Sequence, residues 1–69
     1  MLSEYKMSEF TKALEYYELC LKIAMATRGA EHPDCARSYV NMASVYHAQD
    51  DLAKSLEYYE KALKIRLAT

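Results

Sequence analysis

The chain has 69 residues, of which 52% are hydrophobic, with one glycine and one proline. This length allows one small domain, and this composition excludes disordered and collagen-like chains. Nine basic and ten acidic residues are interspersed and leave a net charge of −1, so we expect neither nucleic acid nor an anionic membrane surface as a partner.

The first predicted element is a long amphipathic helix that ends at Arg28-Gly29, where glycine suits the left-handed C′ position. If the chain is aligned with itself at a spacing of 42 residues, positions 1–7 match positions 43–49, which are the end of a helix. Ser8 then matches Asp50 and is the predicted N-cap of the first full helix. Seven side chains follow the helical spacing on one face: Phe10, Ala13, Leu14, Tyr17, Cys20, Leu21 and Ala24. A second apolar stripe lies beside it, so we expect neighbours on two sides; it contains Tyr16, Leu19 and Ile23.

The second predicted helix runs from Pro33 to about Gln49. Proline suits the first turn of a helix, because its missing N–H would have no partner there. One side of this helix is apolar and is expected to face the core: Tyr39, Met42, Ala43 and Tyr46. Ala43 is small, so a neighbouring helix can approach closely. Another side is mixed and polar: Arg37, Val40, Asn41, Ser44 and His47.

The third predicted helix runs from about Asp51 to the end of the chain, after a tight corner at Asp50-Asp51. Its apolar residues are expected to repeat the stripe of the first helix: Leu52, Leu56, Tyr59, Ala62 and Leu63. The alternative at the corner is one continuous helix, which would force a domain-swapped dimer. Aspartate tolerates the left-handed conformation better than most residues, which favours the corner.

The first and third helices have closely similar sequences. KALEYYELCLKIAMAT (12–27) and KSLEYYEKALKIRLAT (54–69) are identical at eleven of sixteen positions and lie 42 residues apart. A repeat at a fixed period of this length predicts a helical solenoid, in which each unit buries its apolar face against the next.

The pattern resembles the tetratricopeptide repeat, specifically its 42-residue kinesin-light-chain type. The family's positions on its helix A are filled by Tyr39, Met42, Ala43 and Tyr46, and those on helix B by Ser55, Tyr59 and Ala62. Asp50 stands where the family usually has glycine. The resemblance implies an all-α fold of antiparallel helix hairpins in a right-handed solenoid of about one and a half repeats. Residues 1–69 are then one unit, with mainly a helix B in 1–29 and a complete repeat in 33–69.

This resemblance also implies a protein-interaction scaffold, in which the A helices line a concave groove for a partner's peptide. Carried over by position, the groove candidates are Arg37, Val40, Asn41, Ser44 and His47. Asn41 would hydrogen-bond the peptide backbone, and Arg37 would pair with an acidic side chain or a terminal carboxylate. The competing interpretation is that these residues are only the solvated face of an amphipathic helix.

The alternative function is a self-associating structural module with no ligand of its own. One and a half repeats leave both end faces uncovered, with Leu19, Ile23 and Met25 near one end and Leu67 near the other, and exposed apolar patches associate. We therefore expect a homo-oligomer formed by repeat stacking or helix swapping.

The sequence offers little for catalysis, because it has no phosphate-binding glycine loop, nucleophile elbow or paired carboxylates. We expect no enzyme activity, cofactor or metal. The weaker alternative is a metal site built from His32, Cys35 and a carboxylate. Cys20 and Cys35 fit buried reduced thiols, with a disulfide as the alternative. The N-terminus lacks a signal-peptide core and no apolar run of about 18 residues occurs, which predicts a cytoplasmic protein without a membrane span.

Overall fold

The computed structural model describes residues 2–68, with side chains from residue 9 onward. Three helices follow one another: α1 (Leu2–Arg28), α2 (Pro33–Ala48) and α3 (Leu52–Ala68). Helix α2 packs against both α1 and α3, and the Cα atoms extend over 43 × 22 × 11 Å. The molecule is therefore a single layer of helices, with α2 in the middle. This architecture confirms the predicted all-α, helix-hairpin fold.

The connection between α1 and α2 is formed as the sequence predicts. Gly29 has φ +94°, and its N–H donates to the carbonyl of Met25 at 3.1 Å, which is the αL type of helix ending. The N-cap of α2 is His32, whose Nδ1 accepts a hydrogen bond from the N–H of Asp34 at 3.0 Å. Pro33 occupies the first turn, where it costs no intrahelical hydrogen bond.

The corner between α2 and α3 forms at Asp50, and the alternative of one continuous helix is wrong. Asp50 has φ +67°, and its N–H donates to the carbonyl of His47 at 3.0 Å. The N–H of Asp51 donates to the carbonyl of Tyr46 at 2.9 Å. These two bonds make a Schellman motif with aspartate in the position that glycine usually takes. The Asp51 carboxylate accepts from the N–H of Lys54 at 3.4 Å and helps to start α3.

The prediction of an N-cap at Ser8 is wrong. Helix α1 continues without a break from Leu2 to Arg28, so Ser8 lies inside it. No glycine or proline occurs in this segment, and most of its residues up to Phe10 are good helix formers. Nothing in the local sequence therefore stops the helix where the 42-residue register places a corner.

The core lies along both sides of α2. Its buried apolar residues come from all three helices: Ala24, Cys35, Ala36, Met42, Ala43, Ala62 and Ile65. Ala43 is fully buried, so this small side chain lies inside the packing of α2. Both cysteines are free, Cys35 buried and Cys20 half-buried, and the Cys35 thiol donates to the Gly29 carbonyl at 3.3 Å.

The stripe expected on α3 is largely uncovered, in contrast to its copy on α1. Leu52, Leu56, Tyr59 and Leu63 are all exposed, and only Ala62 of the five expected residues is buried. The buried side of α3 instead carries Ser55, Ala62 and Ile65. The stripe of α1 is half-buried or buried along its whole length, because that side of α1 faces α2.

Candidate partner-binding surface

Four of the five groove candidates lie on the side of α2 that is turned away from its core-facing residues, and the fifth, Val40, lies at the edge of that side and packs against the core cluster. Arg37, Ser44 and His47 are exposed, and Val40 and Asn41 are half-buried. The opposite side of the helix is packed, with Cys35, Ala36, Ser38, Met42 and Ala43 buried. One helix therefore presents a polar row to solvent on a backbone that is held in place from behind.

The structure does not bring the five candidates into one pocket. Arg37 lines a cleft of about 410 Å³ between α1 and α2, together with Cys20, Ile23 and Arg28. Val40 lines a separate cleft of about 370 Å³ between α2 and α3, with Tyr59, Leu63 and Arg66 among its walls. Arg37 and Val40 thus line different clefts on either side of α2, and Asn41, Ser44 and His47 line neither of the two.

The cleft that contains Arg37 also contains a surface ion pair. Arg28 Nε lies 3.1 Å from Asp34 Oδ2, so this carboxylate is already paired. Arg37 extends from the next turns of α2 into the same cleft. Guanidinium groups bind carboxylates through paired hydrogen bonds, and Arg37 is a second guanidinium group, beside Arg28, in the lining of this cleft.

The second cleft is more apolar. Val40 packs against the core cluster and so contributes to folding as well as to the surface. The Ser44 hydroxyl lies 3.4 Å from the Tyr59 hydroxyl, which ties the exposed side of α2 to α3. Tyr59, Leu63 and Arg66 were not among the predicted groove residues. The signal for them was present, because Tyr59 and Leu63 repeat the α1 stripe.

Three tyrosines hold α2 against α3 on the other side of the hairpin. The ring of Tyr58 stacks between Tyr39 and Tyr46, with centroid distances of 5.9 and 5.3 Å. Lys54 lies over the Tyr46 ring at 5.4 Å, and Lys61 over the Tyr58 ring at 5.0 Å. Such contacts contribute about 0.5–1.5 kcal/mol each. Packing in the hairpin therefore accounts for these tyrosines.

Burial raises the pKa of the Tyr58 phenol, and the neighbouring Tyr46 adds to this effect. A pKa that is higher in the folded than in the unfolded state stabilises the fold fully below about pH 10, and this contribution is lost as the pH rises through the raised value. We expect Tyr58→Phe, which keeps the ring, to make the free energy of unfolding fall less steeply than in wild type above about pH 10. Urea unfolding at a series of pH values gives, for each protein, the slope of the free energy of unfolding against pH. Equal slopes in the two proteins would contradict this account.

The described part of the chain was compared with the geometry of metal sites and of membrane-spanning helices. Among the described residues, no three His, Cys, Asp or Glu side chains come together as a set of metal ligands. His32 instead caps α2 and lies 3.7 Å from the Asp34 carboxylate. Between residues 2 and 68, no helix combines the length and apolar character that crossing a membrane requires.

These features define a helical-repeat protein: a helix hairpin, a preceding helix that repeats the second member of that hairpin, and a packed middle helix with one open side. The tetratricopeptide repeat family model matches residues 2–68. The chain therefore belongs to the tetratricopeptide repeat family, whose units are protein-interaction modules. Comparisons with curated proteins and with solved structures returned no match.

Proposed function

We propose that this chain binds a peptide segment of a partner protein along the open side of α2, and that its role is binding and not catalysis. The observation that supports this most is the pairing of a packed inner side of α2 with an outer row in which Arg37 and Ser44 are exposed and Asn41 is half-buried. Side chains on a rigid helix bind with little loss of backbone entropy. The 42-residue period further supports the kinesin-light-chain-like type of repeat within the family.

In this proposal the candidates have separate tasks. Arg37 pairs with an acidic side chain or terminal carboxylate in the cleft next to α1. Asn41 hydrogen-bonds the peptide backbone, since its amide offers both donors and an acceptor. Val40 and Ser44 form the edge toward α3, where apolar side chains of the peptide contact Tyr59, and His47 lies at the far end of the row.

A peptide array tests this proposal. Wild-type protein is probed against random peptides with a free C-terminal carboxylate and against the same peptides in amidated form. We expect the double variant Arg37→Ala, Asn41→Ala to lose most of the bound set, because hydrogen bonds to charged groups contribute about 1.5–3 kcal/mol, or roughly tenfold to a hundredfold in affinity. The matched control is Lys22→Ala, Glu18→Ala on α1. If the α2 substitutions leave the set of bound peptides unchanged, the proposal that α2 forms a peptide-binding groove is wrong.

The second candidate function is self-association, and a specific observation favours it. Two separate apolar surfaces are exposed: Tyr16, Leu19 and Ile23 on α1, and Leu52, Leu56, Tyr59 and Leu63 on α3. Patches of this kind mark association sites. We expect sedimentation equilibrium to show an average mass that increases with concentration toward a homo-oligomer. A folded monomer up to millimolar concentration would refute self-association and leave the groove proposal standing.

A further inference from the structure

One face of α1 repeats the residues by which α3 packs against α2. At a spacing of 42 residues, Tyr16 and Ile23 are equivalent to Tyr58 and Ile65. On α3, Ile65 is buried and Tyr58 stacks on two rings of α2. On α1, Tyr16 is 63% exposed and Ile23 is 56% exposed. Among the described residues α1 contacts only α2, which lies on another of its sides. This face of α1 therefore has the residues for packing against a helix like α2, but it is open.

The segment that the repeat assigns to this face is the beginning of α1 itself. Residues 2–7 are equivalent to residues 44–49 at the end of α2, and the end of α2 reaches α3 because the chain reverses at Asp50. The residue equivalent to Asp50 is Ser8, which lies inside the continuous helix α1. Since no corner forms there, residues 2–7 cannot fold back onto their own helix.

The beginning of α1 also extends beyond α2. Helix α1 has 27 residues and α2 has 16, and the two are joined at the other end of α1. With a rise of about 1.5 Å per residue, the first turns of α1 project past α2 by roughly 15 Å. They are therefore free to pack on another molecule.

We propose that the beginning of α1 in a second copy of this chain covers the open face, so that the two α1 helices pack antiparallel about a two-fold axis. This proposal rests on the self-association proposed above and identifies its interface. The hairpin supplies the register, because Tyr46 stacks on Tyr58 with a centroid distance of 5.3 Å. Moved by 42 residues, this contact places residue 4 level with Tyr16 of the second copy. The axis then passes near Glu9, and each contact occurs twice.

The charges along the two helices agree with this register. In the hairpin, Lys54 lies over the Tyr46 ring at 5.4 Å. The equivalent residues, 42 positions earlier, are Lys12 and Glu4, and the two-fold axis places them at the same level in different copies. Lys12 is exposed, and opposite charges at facing positions select a partner and its register. A contact between a cation and a ring within the hairpin thus becomes a pair of opposite charges between the copies.

One contact between like charges opposes this pairing. Glu9 is exposed and lies near the axis, where it approaches Glu9 of the second copy. We therefore expect Glu9→Gln to lower the dimer dissociation constant by roughly twofold to fivefold, because it removes this repulsion. A dissociation constant that stays the same or rises would contradict the position of the axis.

The first experiment exchanges charges across the interface and is read by sedimentation equilibrium. Glu4→Lys alone and Lys12→Glu alone each make both copies of the contact repulsive, so we expect either to raise the dimer dissociation constant about tenfold. An equimolar mixture of the two variants has opposite charges at both contacts, and we expect it to dimerise like wild type.

The matched control for this experiment is a mixture of Glu4→Lys with Lys22→Glu. Lys22 is also an exposed lysine of α1, but it lies outside the overlap of the two helices. We expect this mixture to show no recovery. If the Lys12→Glu mixture does not recover, or if the Lys22→Glu mixture recovers equally, the proposed register is wrong.

The second experiment tests the continuous helix with the pair Ser8→Pro and Ser8→Ala. Proline inside a helix removes a hydrogen bond and bends or breaks the helix, but it is accepted in the first turn of the helix that remains. The buried apolar residues of the described chain lie between Ala24 and Ile65, so we expect both variants to have the urea midpoint of wild type at high dilution. We expect Ser8→Pro to raise the dimer dissociation constant at least about tenfold and Ser8→Ala to leave it unchanged. A Ser8→Pro dimer as tight as wild type would overturn the proposal.

The outcomes separate this inference from self-association in general. A dimer that is insensitive to the changes at Glu4, Ser8 and Lys12 but dissociates with Leu56→Glu, Leu63→Glu on α3 would keep self-association and reject the α1 interface. A chain that stays monomeric at every concentration would reject both.

Discussion

Met42→Ala is expected to unfold most of this protein under conditions in which wild type is folded. Met42 is 2% exposed and is among the largest fully buried side chains of the described residues. It lies on the inner side of α2, so its loss leaves a cavity that the three helices cannot easily close. Replacing a buried methionine by alanine costs about 2–5 kcal/mol, which is as much as the ~3–5 kcal/mol that a core of this size supplies.

Urea unfolding followed by helical circular dichroism measures this effect at high dilution, where self-association does not contribute. The matched control is Leu56→Ala, which removes a similar apolar volume at a position that is 61% exposed. We expect the control to change the free energy of unfolding by less than about 1 kcal/mol, because the Leu56 side chain buries little apolar surface in the folded state. Equal losses in the two variants would mean that the core is not where the structure places it.

Asp50→Val is expected to destabilise the hairpin by about 1–2 kcal/mol. The backbone at Asp50 has φ +67°, in the left-handed region, where a β-branched residue is strongly disfavoured. Two hydrogen bonds that end α2 depend on this conformation, those from the N–H groups of Asp50 and Asp51. Strain at this one residue therefore acts on the whole contact between α2 and α3.

Asp50→Gly is the control for this prediction, since glycine adopts the left-handed conformation without steric cost. We expect its free energy of unfolding to stay within about 1 kcal/mol of wild type. Thermal unfolding of the three proteins gives the comparison. A valine variant as stable as the glycine variant would show that the corner does not need the left-handed backbone.

Local chemistry in the sequence was sufficient to predict most of the fold. The 42-residue repeat identified the helices, Gly29 and Pro33 marked the first connection, and the pair Asp50-Asp51 marked the second. Each of these positions acts on its own backbone, so its effect can be read from a few neighbouring residues. The buried side of α1 was also predicted, because α2 lies directly against it.

The coverage of α3 depended on what is packed nearby, and the sequence pattern did not determine it. Periodicity shows which side of α3 is apolar but not whether a helix covers it, so the stripe from Leu52 to Leu63 was predicted without its exposure, and Ile65 was missed as core. The error at Ser8 has a local cause: the register placed a corner there, but the helix-forming residues around it keep α1 continuous. The open side of α2 was predictable from spacing, whereas its division into two clefts arises from α1 and α3.

The hairpin of α2 and α3 matters most, because the groove and the tyrosine stack both require it. The distance between labels at residues 40 and 60 tests the hairpin directly, measured at high dilution. Helices packed side by side have axes about 8–10 Å apart, and we expect a label distance in that short range. A separation of about 30 Å, the length of a twenty-residue stretch of continuous helix, would contradict the account.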